Sequence, residues 1–433
     1  MGAGGQIIIG LTGSFGSGCT TLREALAEKE FTAFSLSKII HEKWQEKNPS
    51  KPQEDATRRE LQDIGNNLRK EKGNAFLTEN AIKEASLGKK EEHTLVFDSI
   101  RHPDEIVALR KTFPNCFIIG IGSSLEERWK RLKDDYERKN LTFRDFEDDD
   151  ERDALEDIDY GQKVQLCVDS ADISIRNEEH FPAVHKQKEE LWKITNNYIG
   201  LVTGKDLMPP TPDESMMAIA YTQALSSHCY KRQVGAVIQD EKGTVLGVGC
   251  NRNPPPLGSC YDEWGECNRD TYKRDFFKGL GQTPCPKCNQ AVAGNLTPDY
   301  KCKNCGFNLD KYYIKDRAIS RCTALHAEEA AIMNVGGRDL RGCTIYTTTF
   351  PCFSCTQKIV DTGIKRVVYC EAYPDPDGAK LFEEVNKKLR KKSGAPIIRV
   401  YNFEGVKARA YFRVFGSWRR EMERKIDAKR GLA

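Results

Sequence analysis

The sequence predicts two α/β domains joined near residue 209. Three observations predict it. An apolar run, Gln6 to Leu11, passes through a glycine-rich turn at 13–20 into the helical stretch Leu22 to Leu26. Pro209, Pro210 and Pro212 then fall together where neither a helix nor a central strand can continue. Cysteine is unevenly spread: of 16, only Cys19, Cys116 and Cys167 lie in the first 200 residues, and seven lie between Cys250 and Cys305. Clusters of that kind mark metal sites more often than disulfides in a reducing compartment.

Each half of a 433-residue chain is long enough to bury its own core. With 39% hydrophobic and 30% charged residues and a net charge of +3, no global field recruits nucleic acid or anionic membrane. No apolar run approaches the ~20 residues of a membrane span. Gln6 stands where a myristoylation signal has Ser or Thr, and the start lacks the basic flank and cleavage site of a signal peptide. The expectation is a cytoplasmic protein with no membrane partner.

In the first domain, residues 1–205, the turn Gly13-Ser14-Phe15-Gly16-Ser17-Gly18-Cys19-Thr20 follows a strand and opens a helix. Backbone N–H groups and a helix N-terminus in that context hold phosphates. Gly13, Gly16, Ser17, Gly18, Cys19 and Thr20 are the candidate nucleotide-binding residues. The loop matches G-x-x-x-x-G-K-[S/T] except at Cys19, which replaces the lysine that reaches the β/γ-phosphates. Two readings stay open: a loop that still binds a nucleotide, and an ordinary strand–helix turn. Thr94 to Asp98 and Cys116 to Gly122 are further strands, Arg58 to Arg69 and Leu125 to Arg138 basic helices, and Asp145 to Asp153 a solvated face or lid. The segment 6–180 resembles the nucleoside monophosphate kinase and dephospho-CoA kinase branch of P-loop proteins.

A linker at 206–212 leads to the second domain, 213–433, whose first helix spans Glu214 to Ser227. Val234 to Ile238 and Thr244 to Gly249 read as antiparallel strands, with Asn251 just beyond them. An insertion at 260–306 carries Cys285-Pro286-Lys287-Cys288 and, 13 residues on, Cys302-Lys303-Asn304-Cys305. Two such knuckles enclose one tetrahedral structural zinc. Cys260, Cys267 and Cys322 are either a further metal group or core thiols.

Two short runs carry the chemistry: His326-Ala327-Glu328 at a helix start, and Pro351-Cys352-Phe353-Ser354-Cys355 at another after the strand Thr344 to Thr349. His326, Cys352 and Cys355 supply three ligands and leave the fourth zinc position open, the mark of a catalytic site. A helix start also lowers a thiol's pKa. Glu328 is then free to take a proton from water and pass it on. This H-x-E…P-C-x-x-C pattern is the signature of zinc nucleobase deaminases.

From Ser215 to Tyr373 the chain resembles the deoxycytidylate deaminase family. The matching residues are Ser227-His228-Cys229, Val234 to Ile238, Gly249 to Pro254, the His326 run and Thr348 to Cys352. The resemblance implies a cytidine-deaminase-like α/β/α domain with an inserted zinc ribbon, a substrate contact at Asn251, and a homo-oligomer. Arg252 departs from the family's glycine. Fusion to a P-loop domain, with the C-terminal Asn402 to Tyr411, resembles the bacterial antiviral dCTP/dCMP deaminases. That likeness implies a deoxycytidine nucleotide substrate, and a first domain that binds a regulatory nucleotide or viral trigger. The rivals are a housekeeping deaminase with an active kinase domain, and a polynucleotide deaminase using Arg413, Trp418, Arg419, Arg420 and Lys425.

Overall fold

Alternating aliphatic residues bury both faces of a parallel sheet in the first unit. The computed structural model of the protein describes residues 7–29, 31–87, 94–178, 184–206, 208–292, 294, 296–298, 300–314, 322–372, 377–391, 397–416 and 423. Strands β1 (Ile8–Thr12), β2 (Thr32–Ser35), β3 (Leu95–Ile100), β4 (Cys116–Gly122) and β5 (Ile173–Arg176) pair in parallel in the order β5-β4-β1-β3-β2. Because side chains alternate along a strand, Ile8, Leu95, Phe97 and Ile118 enter one core while Ile9, Val96, Phe117 and Ile119 enter another. Such two-sided burial is what a parallel sheet requires.

The second unit, Ser215–Asn402, holds a five-stranded mixed sheet. Its strands β6 (Gly235–Gln239), β7 (Val245–Cys250), β8 (Thr344–Thr349), β9 (Arg366–Glu371) and β10 (Arg399–Asn402) run in the order β10-β9-β8-β6-β7. β6 is antiparallel to both neighbours, and β8, β9 and β10 are mutually parallel. The helix Ala327–Asn334 lies directly on β7. A Cβ on Gly249 would sit 2.4 Å from the Ala331 nitrogen, so only glycine lets the helix come this close. Gly249→Val is therefore expected to cost at least about 1–3 kcal/mol by overpacking. A lowered Tm together with lost zinc checks this; an unchanged Tm contradicts it.

The second unit does not run to the C-terminus, as the expected bounds 213–433 had it. The chain returns, and Phe403–Ala433 groups with Met1–Glu214. Strand β11 (Gly405–Val406) pairs antiparallel with β5 at the edge of the first sheet. Val406, Ala410, Val414 and Phe415 complete the core around Ile173 and Ile175. The segment Ser215–Asn402 is thus inserted within the chain of the first unit. Glu214 anchors the return, its carboxylate accepting the Val406 N–H at 2.7 Å.

One charged segment also differs from expectation. Asp149 and Asp153, read as part of a solvated acidic run, are buried; Asp149 accepts the Tyr136 hydroxyl at 3.0 Å and Asp153 pairs with Arg101. Arg413, which is exposed, donates to the Cys116 carbonyl at 2.9 Å and lies over the Phe117 ring. Trp418, Arg419, Arg420 and Lys425 lie outside the described residues. Among the described residues no helix is long and apolar enough to cross a membrane.

Candidate active site

Two helix starts bring the predicted ligands together. His326 is the N-cap of the Ala327–Asn334 helix and Cys352 the N-cap of the Phe353–Asp361 helix. The His326 Nδ1 lies 3.3 Å from Cys355 Sγ and 3.4 Å from Cys352 Sγ, and the three ligand atoms are all within 4.8 Å of one another. Tetrahedral zinc with ordinary Zn–N and Zn–S bonds separates N from S by about 3.5 Å. The donor set therefore fits zinc. Cys352 is pushed down to about 4, first by its contact with Cys355, and Cys355 is raised by that same contact. Thiolate ligands must be deprotonated, so zinc held here would displace the remaining thiol proton.

Glu328 stands beside this group and is 4% exposed. Burial pushes its carboxyl up to about 7. Glu329, which the sequence reading missed, holds the ligands in place. Its carboxylate accepts the His326 N–H at 2.9 Å and pairs with Lys358 of the other helix at 2.6 Å. A Glu three residues after a helix N-cap was the available signal.

His326, Glu328 and Cys352 line a cavity of about 560 Å³. Asn251 lines it too, but its amide is engaged with the neighbouring loop: Oδ1 accepts from Val234 N at 2.7 Å and Nδ2 donates to Arg232 O at 2.8 Å. Cys260, Cys267 and Cys322 are on the wall and fall in neither metal-holding group found among the described residues.

The ribbon cysteines form the other group, with Cys285 and Cys305 sulfurs 3.7 Å apart and Cys288 and Cys302 sulfurs 3.6 Å apart. The two knuckles repeat one backbone pattern, since Cys285 N bonds Gln290 O and Cys302 N bonds Phe307 O. Tetrahedral Zn–S geometry gives a sulfur separation of about 3.8 Å, so the set fits a closed structural zinc.

In the first unit the glycine loop lines a cavity of about 620 Å³ with Gly13, Gly16, Gly18, Cys19 and Thr20; Ser17 is buried beneath it. Gly18 takes φ 112°, a conformation suited to glycine. Burial pushes the Cys19 thiol up to about 11, so this side chain stays neutral where a lysine would be charged. Arg58 and Arg101 face the same cavity.

Residues 210–371 match the family of the cytidine and deoxycytidylate deaminase zinc-binding region. A deoxycytidylate deaminase of Saccharomyces cerevisiae is 31% identical over 190 residues, 43% of this chain and 46% of that protein. The chain thus spans just under half the length of that relative. One from Schizosaccharomyces pombe is 26% identical over 297 residues, 68% of this chain and 76% of its own. That span is longer than the second unit and reaches into the first. One from Mycobacterium phage D29 is 30% identical over 161 residues, 37% of this chain and 94% of its own length. A zinc-fitting ligand set at the matched motif, within so nearly complete an alignment, places this chain in the deoxycytidylate deaminase family.

Proposed function

We propose that the protein hydrolyses the 4-amino group of deoxycytidine nucleotides, dCMP or dCTP, to give the deoxyuridine nucleotide and ammonia. The observation that carries this is the buried Glu328 carboxylate beside the three-ligand group in a nucleotide-sized cavity. His326, Cys352 and Cys355 would hold the catalytic zinc, whose Lewis acidity makes water a nucleophile near neutral pH. The Glu328 carboxylate accepts a proton as water adds to C4 of the base. It delivers that proton to N3 and then assists the departing amine, so that C4–NH2 becomes C4=O and one ammonia leaves. Its burial keeps bulk water from intercepting the proton.

The first unit is read as regulatory. A neutral Cys19 in the lysine position cannot stabilise charge on a transferring phosphoryl group, yet the loop and its arginines still offer a nucleotide a cavity. In this reading a bound nucleotide or viral trigger controls the deaminase of a homo-oligomer, and its release depletes dCTP during phage infection. A housekeeping role in pyrimidine metabolism is the second reading. Likeness to the Schizosaccharomyces pombe protein, named a deoxycytidylate deaminase, reaches into the first unit. A panel of dCMP, dCTP, CTP and oligonucleotides, followed by uracil product and ammonia, tests the substrate. Turnover confined to the free deoxynucleotides is expected; turnover of oligonucleotides alone would overturn the proposal.

A further inference from the structure

Strand β8 ends in three consecutive threonines, Thr347, Thr348 and Thr349, all of them buried. The Thr347 hydroxyl donates to the Thr349 carbonyl at 2.8 Å, and the Thr348 hydroxyl accepts the Gly235 N–H at 3.2 Å. Thr349 differs. The residue is 3% exposed, and its Oγ1 is enclosed with no hydrogen-bond partner. Thr349 also lines the catalytic cavity. Among the described residues it is the one neutral side chain on that wall with an enclosed polar atom left unpartnered.

The backbone around it is fixed. Thr349 pairs with Glu371 across β8 and β9, and the next residue, Phe350, donates its N–H to the Glu371 carbonyl at 2.8 Å. The ligand Cys352 follows three residues after Thr349. Three residues of chain reach about 11 Å at most, so Thr349 stands at the ligand end of the cavity. A hydroxyl taken out of water without a partner is costly unless a ligand supplies one. At the ligand end a deoxycytidine nucleotide would place C4, N3 and the 4-amino group. Glu328 serves N3 in the reaction proposed above, and Asn251 spends both ends of its amide on the neighbouring loop. The N–H groups of the 4-amino group are then the donors in need of an acceptor, which a hydroxyl oxygen provides.

We propose that the Thr349 hydroxyl accepts a hydrogen bond from the substrate's 4-amino group and holds that group at the reacting end of the site. This rests on the deaminase reading and adds a substrate-contacting residue to it. The test is steady-state kinetics of wild type, Thr349→Val and Thr349→Ser on dCMP, with zinc content measured and rates expressed per bound zinc. Inhibition by the deoxyribonucleotide of pyrimidin-2-one, which carries hydrogen in place of the 4-amino group, is measured on the same proteins. Valine keeps the shape of the side chain and removes the acceptor, so kcat/KM for dCMP should fall roughly 5- to 100-fold. Serine keeps the hydroxyl and should recover most of that loss. The inhibition constant of the pyrimidin-2-one nucleotide should be the same in Thr349→Val as in wild type. An unchanged kcat/KM in Thr349→Val, or an equal weakening of the pyrimidin-2-one nucleotide, overturns the proposal. So does a loss that serine fails to relieve. If the wild type does not turn over dCMP, the deaminase reading falls and the proposal with it.

Discussion

Glu328→Gln is expected to slow deamination of dCMP roughly 10²- to 10⁴-fold, the range lost when a positioned acid–base group is removed, with zinc content unchanged. The side chain is 4% exposed and stands two residues after His326 without belonging to the ligand set. Glutamine keeps its shape and its place in the buried wall but cannot accept the water proton. His326→Ala should behave differently, losing both zinc and activity. Parallel metal analysis and initial rates separate the two variants. A Glu328→Gln protein that retains activity within tenfold of wild type would show that some other group moves the proton.

Ending the chain after Asn402 is expected to unfold the first unit while leaving the ligand-bearing sheet intact. The deletion removes β11 from its pairing with β5 and takes Phe403, Val406, Ala410, Val414 and Phe415 out of a buried core. Fully burying a large apolar side chain contributes about 1.5–3 kcal/mol. Several such losses approach the ~5–15 kcal/mol net stability of a whole domain. The deletion also removes Lys407, whose Nζ donates to the Val168 carbonyl at 2.7 Å, and Arg413, which caps the Cys116 carbonyl. Domain-resolved hydrogen exchange checks the outcome. Protection should vanish at β1 and β4 and persist at β6 and β8; full protection at β1 would contradict the return of the chain.

That His326, Cys352 and Cys355 come together was legible because the pattern is local. Three ligands and a carboxylate fall in two runs, and each run sits at a helix start whose caps can be read from the residues. The ribbon was legible for the same reason. The glycine loop and its strands could be found from one apolar run and one turn. The return of the chain to the first sheet was not legible as such, since β11 is two residues long and pairs with a strand more than 200 residues earlier. The helical spacing of Phe403, Val406, Ala410 and Val414 was the available hint of a buried face. Asp149 and Asp153 were misjudged because a charge run looks solvated until the arginine and tyrosine that meet it are known.

The central claim is that water, with Glu328 taking its proton, replaces the amine at C4 of a deoxycytidine nucleotide. Turning over dCMP in ¹⁸O-labelled water tests it most directly, with mass spectrometry of the product and an ammonia assay on the same sample. The account predicts dUMP carrying one ¹⁸O at C4 and one ammonia per product, at a rate that collapses in Glu328→Gln. Product without the label, or no uracil nucleotide from zinc-loaded protein, would contradict it.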